Sequence, residues 1–305
     1  MDFAPLNRQL PIVLVTGFLG SGKTTLLKEL LNHYASIGRR VAVVQNEFAQ
    51  SSIDGDILRE AESDFTLHEL NTGSIFCACL FSQFKRVLVD IAARGGVDVV
   101  VVEATGIADP IAVAQLLEDR EVADRYFLSQ IVAVVDAPRF ESVLSRITGV
   151  RHQIQVADSV LINKVDLVNN IEVTKRLVAE INPLANIHSA SYAKFDLSEI
   201  FTLANRAEAS RKTKQGELTK CGEGGFISKS YKSTTPISRE QLEIFMESLN
   251  SDVLRLKGYV TLESGECMVV QYVPGQIEIA ESINRMRQTE LVAIGYQLPN
   301  FDLLN

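Results

Sequence analysis

The sequence predicts an α/β protein: a phosphate-loop domain with a mostly parallel, doubly wound sheet, then a small α+β domain with an antiparallel sheet. Three observations predict it. Short β-branched runs alternate with helical periodicities through the first two thirds of the chain. The first of these runs leads into the glycine-rich loop Gly17-Phe18-Leu19-Gly20-Ser21-Gly22-Lys23-Thr24-Thr25 and then into a helix. Beyond a polar, glycine-bearing stretch, strands follow one another without the crossover helices that a parallel sheet requires.

Ile12-Val13-Leu14-Val15 reads as a buried strand, and Leu26, Leu27, Leu30, Leu31, Tyr34 and Ile37 recur at helical spacing after the loop. Strand, glycine turn and helix form the setting in which G-x-x-x-x-G-K-T cradles phosphate. The glycines let successive N–H groups point inward, and the helix N-terminus adds partial positive charge there. Lys23 then supplies a cation for the β- and γ-phosphates, and the Thr24 hydroxyl is a ligand for Mg²⁺. Gly17, Gly20, Ser21, Gly22, Lys23, Thr24 and Thr25 are therefore the nucleotide-binding candidates. A glycine turn that binds nothing is the competing reading, and the complete pattern in its proper flanks outweighs it.

Val41-Ala42-Val43-Val44 reads as a second strand, ending at Gln45-Asn46-Glu47-Phe48 on the edge where ligands of open α/β sheets sit. Ser51 to Glu60 is polar and predicts a loop and a short helix. Within it Asp54 either positions an attacking water, as a switch residue would, or is a turn aspartate. Leu67-His68-Glu69-Leu70 leads into Asn71-Thr72-Gly73-Ser74 and the pair Cys77-Ala78-Cys79. Phe81, Phe84, Val87, Leu88 and Ile91 then mark an amphipathic helix.

Val97 to Val102 is the next strand, ending in Glu103-Ala104-Thr105-Gly106. A carboxylate at that point can hold Mg²⁺ through its waters, and the Gly106 N–H can approach the γ-phosphate. Lys23, Asp54 and Glu103 are accordingly the catalytic candidates. Asp109 is a candidate N-cap for a helix opening at Pro110. Further strands are read at Ile131–Val135, Ser159–Ile162 and Asn186–Ser191, with a helix from Ile171 to Ile181.

The strand at 159–162 runs into Asn163-Lys164-Val165-Asp166. A carboxylate accepts two hydrogen bonds from the N1–H and exocyclic amine of guanine, a donor pair that adenine lacks. Asn163, Lys164 and Asp166 at a strand end are therefore read as guanine selection. Ala190, within Ser189-Ala190-Ser191, is a candidate backbone donor to the base.

Cys77 and Cys79 leave several readings open: thiolates sharing a metal such as Zn²⁺ with Glu47 or His68 as further ligands, a redox pair, or two small buried hydrophobes. Cys221 and Cys267 carry no motif, and His33, His152 and His188 have no metal-type spacing.

Asn205 to Gly225 has no apolar period, so the domains are expected at 1–204 and 227–305 with a linker at 205–226. In the second domain Ile227–Tyr231, Val253–Leu262, Cys267–Val273 and Glu290–Gln297 read as strands. Ser238-Arg239-Glu240-Gln241 fits a capping box, and a helix is expected near Glu281 to Arg287.

Composition sets the outer limits. The 46% of apolar residues support a sizeable core, and the net charge of −8 argues against broad binding to nucleic acid or anionic membrane. No apolar run is long enough to span a bilayer, the first residues lack a secretory signature, and four cysteines are too few for a disulfide scaffold. A cytoplasmic protein is expected.

The ordered set of motifs resembles the CobW-like family of GTPases, which deliver or insert metal ions. The resemblance runs through residues 17–25, Asn46-Glu47-Phe48, Ile53-Asp54-Gly55, and the stretch from Glu103 through Thr105-Gly106 to Pro110. It continues through Ala157-Asp158, Asn163 to Asp166, and Arg255-Leu256-Lys257-Gly258. It implies GTP and GDP as ligands with Mg²⁺, Glu103 where many GTPases have Asp, and a C-terminal α/β domain beginning near Ile227. The family's Gly-Cys-x-Cys-Cys pattern stands here as Gly73-Ser74-Ile75-Phe76-Cys77, followed by Ala78-Cys79, and no histidine-rich tract is present. Cys77, Cys79 and Glu47 form the substitute zinc set that the resemblance suggests.

The expected function is thus a GTPase, slow without a partner, that couples nucleotide state to zinc binding or delivery to a metal-dependent client. A GTP-dependent switch acting on a client enzyme, with structural cysteines, is the alternative; homo-oligomerisation stays open. A small-molecule kinase would use the same phosphate cradle but prefer ATP, against the reading of Asp166.

Overall fold

The computed structural model describes residues 9–46, 65–70, 78–104, 119–201, 212–213, 227–250, 252–273, 276–282, 288–295 and 297–304. Contacts divide the chain into residues 1–202 and 203–305.

The first unit is built on seven parallel strands: β1 (Leu10–Gly17), β2 (Val41–Asn46), β3 (Phe65–Leu70), β4 (Val99–Glu103), β5 (Tyr126–Asp136), β6 (Ser159–Asn163) and β7 (Asn186–Ala190). Their order across the sheet is β3-β2-β4-β1-β5-β6-β7. Chain order reverses on either side of β1, which puts the loop after β1 at the switch point of a doubly wound sheet. Both faces are covered, as parallel strands require. Val13, Val15, Val101 and Val132 point to one face and Ile12, Leu14, Val100 and Ile131 to the other, and all are buried.

Helix α1 (Lys23–Ser36) lays Leu26, Leu27, Leu30, Leu31 and Tyr34 on the first face. Each such side chain contributes about 1.5–3 kcal/mol of burial free energy. Helix α2 (Ala78–Arg94) buries Phe84, Leu88 and Ile91. The short α3 (Arg120–Ala123) and α4 (Phe140–Leu144), then α5 (Thr148–Val156), α6 (Glu172–Ile181) and α7 (Ser198–Phe201), complete the described helices of this unit.

Three sequence expectations need correction here. Phe65–Leu70 is a strand, paired in parallel with β2 from Val41↔Phe65 to Asn46↔Leu70, although no strand was expected there. β5 starts at Tyr126, five residues before the expected Ile131. The polar pair Ser129-Gln130 interrupts the apolar run because a register shift against β1 falls there: Ile12 pairs with Leu128 and Val13 with Gln130. Gln130 is nonetheless buried, its amide donating to Ser159 Oγ at 3.2 Å. Helices α4 and α5 were not anticipated either.

The second unit contains a six-stranded antiparallel sheet: β8 (Lys212–Thr213), β9 (Ile227–Ser233), β10 (Val253–Thr261), β11 (Cys267–Val273), β12 (Gln276–Glu281) and β13 (Thr289–Gly295). The order is β8-β12-β11-β10-β13-β9. Helix α8 (Arg239–Ser248) packs Leu242, Phe245 and Met246 into its core with Leu256, Val260 and Val270. Its start is the expected capping box: Ser238 Oγ accepts from Gln241 N at 3.1 Å, and Gln241 Oε1 accepts from Ser238 N at 2.8 Å.

Two expectations fail in this unit. Residues 212–213, inside the expected linker, form the edge strand beside β12. Glu281, expected to open a helix, ends strand β12 opposite Met268; residues 283–287 lie outside the described set. The sheet also has an internal tight point. A Cβ at Gly258 would overlap the Glu290 carbonyl oxygen and crowd Leu291 on the neighbouring strand. Gly258→Ala is expected to destabilise this unit by about 1–3 kcal/mol, the range for overpacking a core. A lowered midpoint in urea unfolding checks it, and an unchanged midpoint would contradict it.

Candidate functional site

The loop between β1 and α1 is held in shape from below and from the side. Gly17, Gly20 and Gly22 have φ of 141°, 76° and 103°, the region where a Cβ is strained. At two of them space is closed as well: a Cβ on Gly17 would overlap the Val134 carbonyl, and one on Gly22 would overlap the Asn163 amide. Gly22 is the N-cap of α1, and the first turn carries neither a side-chain cap nor an acidic residue. The helix's own first turn therefore supplies no counter-charge to its positive end. Ser21 Oγ is buried in the same loop with no hydrogen-bond partner among the described residues. Lys23 folds back over the loop, Nζ donating to the Phe18 carbonyl at 3.4 Å.

Beside this cradle, β4 pairs with β1 so that Glu103 stands opposite Val15. Its carboxylate is buried and held on both oxygens. Thr24 Oγ1 donates to Oε1 at 3.2 Å, and Gln45 Nε2 donates to Oε2 at 3.0 Å. A hydroxyl and a carboxylate are hard oxygen donors, the chemistry that suits Mg²⁺. The donor set therefore fits that ion.

On the other side, Asn163 ties three elements together. Its Nδ2 donates to the Ser21 carbonyl at 2.9 Å, and its Oδ1 accepts from Ala193 N at 2.9 Å. Lys164, at φ 62°, donates from Nζ to the Gly20 carbonyl at 2.6 Å and pairs with Asp136 Oδ2 at 2.8 Å. Asp136 ends β5 and is buried. Asp166 lies exposed on the short 3-10 turn Val165–Leu167. Ala190 ends β7, buried and in register with Asn163. Thr25 is in the first turn of α1, partly exposed.

The structure thus brings Gly17 through Thr25, Glu103, Asn163 and Lys164 together at the C-terminal edge of the sheet. Asp54, Gly106, Cys77 and Glu47 lie outside the described residues, as does the Cys79 side chain in the first turn of α2. His68, on β3, is half-buried; burial lowers its pKa first and Arg94 lowers it further, while Asp90 opposes them. Its neutral, metal-binding form is favoured. Among the described residues no group of three or more His, Cys, Asp or Glu side chains is placed to hold a metal ion.

Sequence reasoning did not assign roles to Gln45 or Asp136. Asp136 carried a usable signal, an acidic residue closing a Val-rich strand just as Glu103 does. Gln45 carried only its place on the same edge.

Comparison with known proteins decides the family. The model described as CobW/HypB/UreG, nucleotide-binding domain, matches residues 11–189, more than half of the chain. The chain belongs to this family. The cobalamin synthesis protein cobW C-terminal domain matches residues 226–305 of the same CobW-type chain. The chain is 32% identical over 196 residues to the zinc chaperone YjiA of Escherichia coli, covering 62% of this chain and 60% of that protein. It therefore spans less than two thirds of that relative's length. It is 27% identical over 340 residues to the zinc chaperone CobW of Pseudomonas aeruginosa, covering 97% of this chain and 90% of that one. Among solved structures, Zn(II)-bound YjiA GTPase from E. coli is similar with a TM-score of 0.62 and 23% identity over 97% of each chain, a likeness of fold.

Proposed function

We propose that this CobW-family protein binds and hydrolyses GTP with Mg²⁺ and couples its nucleotide state to the binding or delivery of zinc to a metal-dependent client. The observation that carries the nucleotide half is the single linked site: Lys23 and Thr24 on the loop, Glu103 beside them, and Asn163 bonded to the same loop at Ser21. Lys23 balances charge on the β- and γ-phosphates, and the first-turn amides of α1 orient them. Thr24 and Glu103 would hold the Mg²⁺, which supplies charge neutralisation at the phosphates when bound. Gln45 keeps the Glu103 carboxylate turned toward Thr24. Asp166 reads the guanine edge, with the Lys164 stem beside the base and Ala190 as a backbone donor; Gly106 approaches the γ-phosphate and Asp54 positions the water.

The zinc half rests on the named relatives, zinc chaperones in two bacteria, and on the thiols Cys77 and Cys79 near Glu47 in sequence. Glu47 follows β2 directly in sequence, Cys77 immediately precedes α2, and Cys79 is its second residue. Glu47 is two residues beyond Gln45, whose amide donates to the Glu103 carboxylate at the phosphate site. Hydrolysis is expected to be slow alone, since no sequence motif marks an arginine as a charge-stabilising finger.

The test is Zn²⁺ affinity of the nucleotide-free, GDP and non-hydrolysable GTP forms, in wild type and in Cys77→Ser. A difference of about 5-fold or more between nucleotide states is expected in wild type, the lower end of usual coupling energies, and its loss in the variant. Equal affinity in every form would refute the zinc half.

A further inference from the structure

Seven large apolar side chains are exposed among the described residues, and one of them, Tyr192 at 71%, lies two residues beyond Ala190, the strand end that pairs with Asn163. Its backbone is unusual. Tyr192 and Ala193 are consecutive non-glycine residues in the left-handed region, with φ of 54° and 56°. For a bulky aromatic residue that conformation is a true outlier and persists only where the surroundings enforce it. Here they do. The antiparallel bridge Ser191↔Lys194 closes the turn, with Lys194 N donating to the Ser191 carbonyl at 3.1 Å. Ala193 is fully buried, and its N–H is held by Asn163 Oδ1. The turn is thus fastened to the residue that also grips the phosphate loop, and the aromatic ring is left facing outward.

β6 and β7 are neighbours, so the turn after β7 lies next to the Asn163–Asp166 turn after β6. A planar, exposed ring at that place has the chemistry of a stacking surface for a purine, since every base presents a π-face. We propose that Tyr192 forms a wall of the base pocket, stacking on the guanine whose edge Asp166 reads. The proposal rests on the guanine-nucleotide reading above and adds a binding residue to it. The phenol hydroxyl is not needed for stacking; the ring is.

The chain contains no tryptophan, which makes a direct test available. In Tyr192→Trp the introduced indole is the sole tryptophan, and GDP binding is expected to quench its fluorescence strongly through contact with the base. Ile244→Trp, at an exposed position of α8 in the second unit, is the control and is expected to keep its emission. By calorimetry with GDP and Mg²⁺, Tyr192→Ala is expected to bind about 10-fold more weakly, the lower part of the range for removing a stacked aromatic, while Tyr192→Phe keeps wild-type affinity. Wild-type affinity in Tyr192→Ala, or an unquenched Tyr192→Trp that still binds GDP, overturns the proposal alone. Failure of the wild-type protein to bind GDP or GTP overturns the guanine reading and this proposal with it.

Discussion

Replacing Lys23 by alanine is expected to lower kcat for GTP hydrolysis by about 10²–10³-fold, the cost of deleting one preorganised charge at a phosphoryl-transfer site. The fold should survive the change. Lys23 sits at the N-terminal end of α1, alanine is a better helix former than lysine, and the Lys23 ammonium donates to the Phe18 carbonyl within its own loop. The helix core, Leu26 through Tyr34, is untouched. A single-turnover assay with Mg²⁺-GTP, beside a circular dichroism melt, separates catalysis from stability. Near-wild-type hydrolysis in the variant would remove the phosphate loop from the reaction.

The second large effect concerns the base. Asp166→Asn converts an acceptor pair into one acceptor and one donor set. Guanine then loses a partner for one of its two N–H groups, while xanthine, with a carbonyl where guanine has its amine, gains one. Affinity for GTP is expected to fall by about 10²–10³-fold and affinity for xanthosine triphosphate to rise above it, since sites built on paired hydrogen bonds discriminate strongly. Asp166 is exposed and belongs to no core cluster, so the exchange should leave stability within about 0.5 kcal/mol. Competition binding with the two nucleotides checks the inversion. Unchanged preference would mean that Asp166 does not read the base.

Both predictions concern residues visible in the sequence, and the reason is physical. A phosphate cradle needs contiguous backbone amides, so its residues must be neighbours in the chain, and Gly17 through Thr25 announce it. Glu103 and Asn163 were legible by another route: each ends a β-branched strand, and parallel topology delivers strand ends to one edge. What joins them was not legible. Gln45 to Glu103 spans 58 residues and Asn163 to Ser21 spans 142, pairings that no local pattern encodes.

The fold shows the same division. β4, Val99–Glu103, is five buried residues and was plain. β3 was missed because it pairs on one side only and admits Thr66, His68 and Glu69 into its run. β12 carried little signal because its alternation is short, Ile277 and Ile279 flanking Glu278, and only its last residue, Glu281, fell in the expected helix. Tyr192 carried no signal at all. An exposed tyrosine in a polar turn is unremarkable until its φ and the Asn163–Ala193 hydrogen bond are seen.

The Glu103 carboxylate is shared between two owners, the Thr24 hydroxyl and the Gln45 amide, and Gln45 is the penultimate residue of β2. A cation that pulls this carboxylate toward itself loosens or drags the amide with it. Glu47 lies only two peptide bonds further along the chain. Any change at the Gln45–Glu103 hydrogen bond is therefore made at a backbone position two residues, in sequence, from the first ligand of the proposed zinc set.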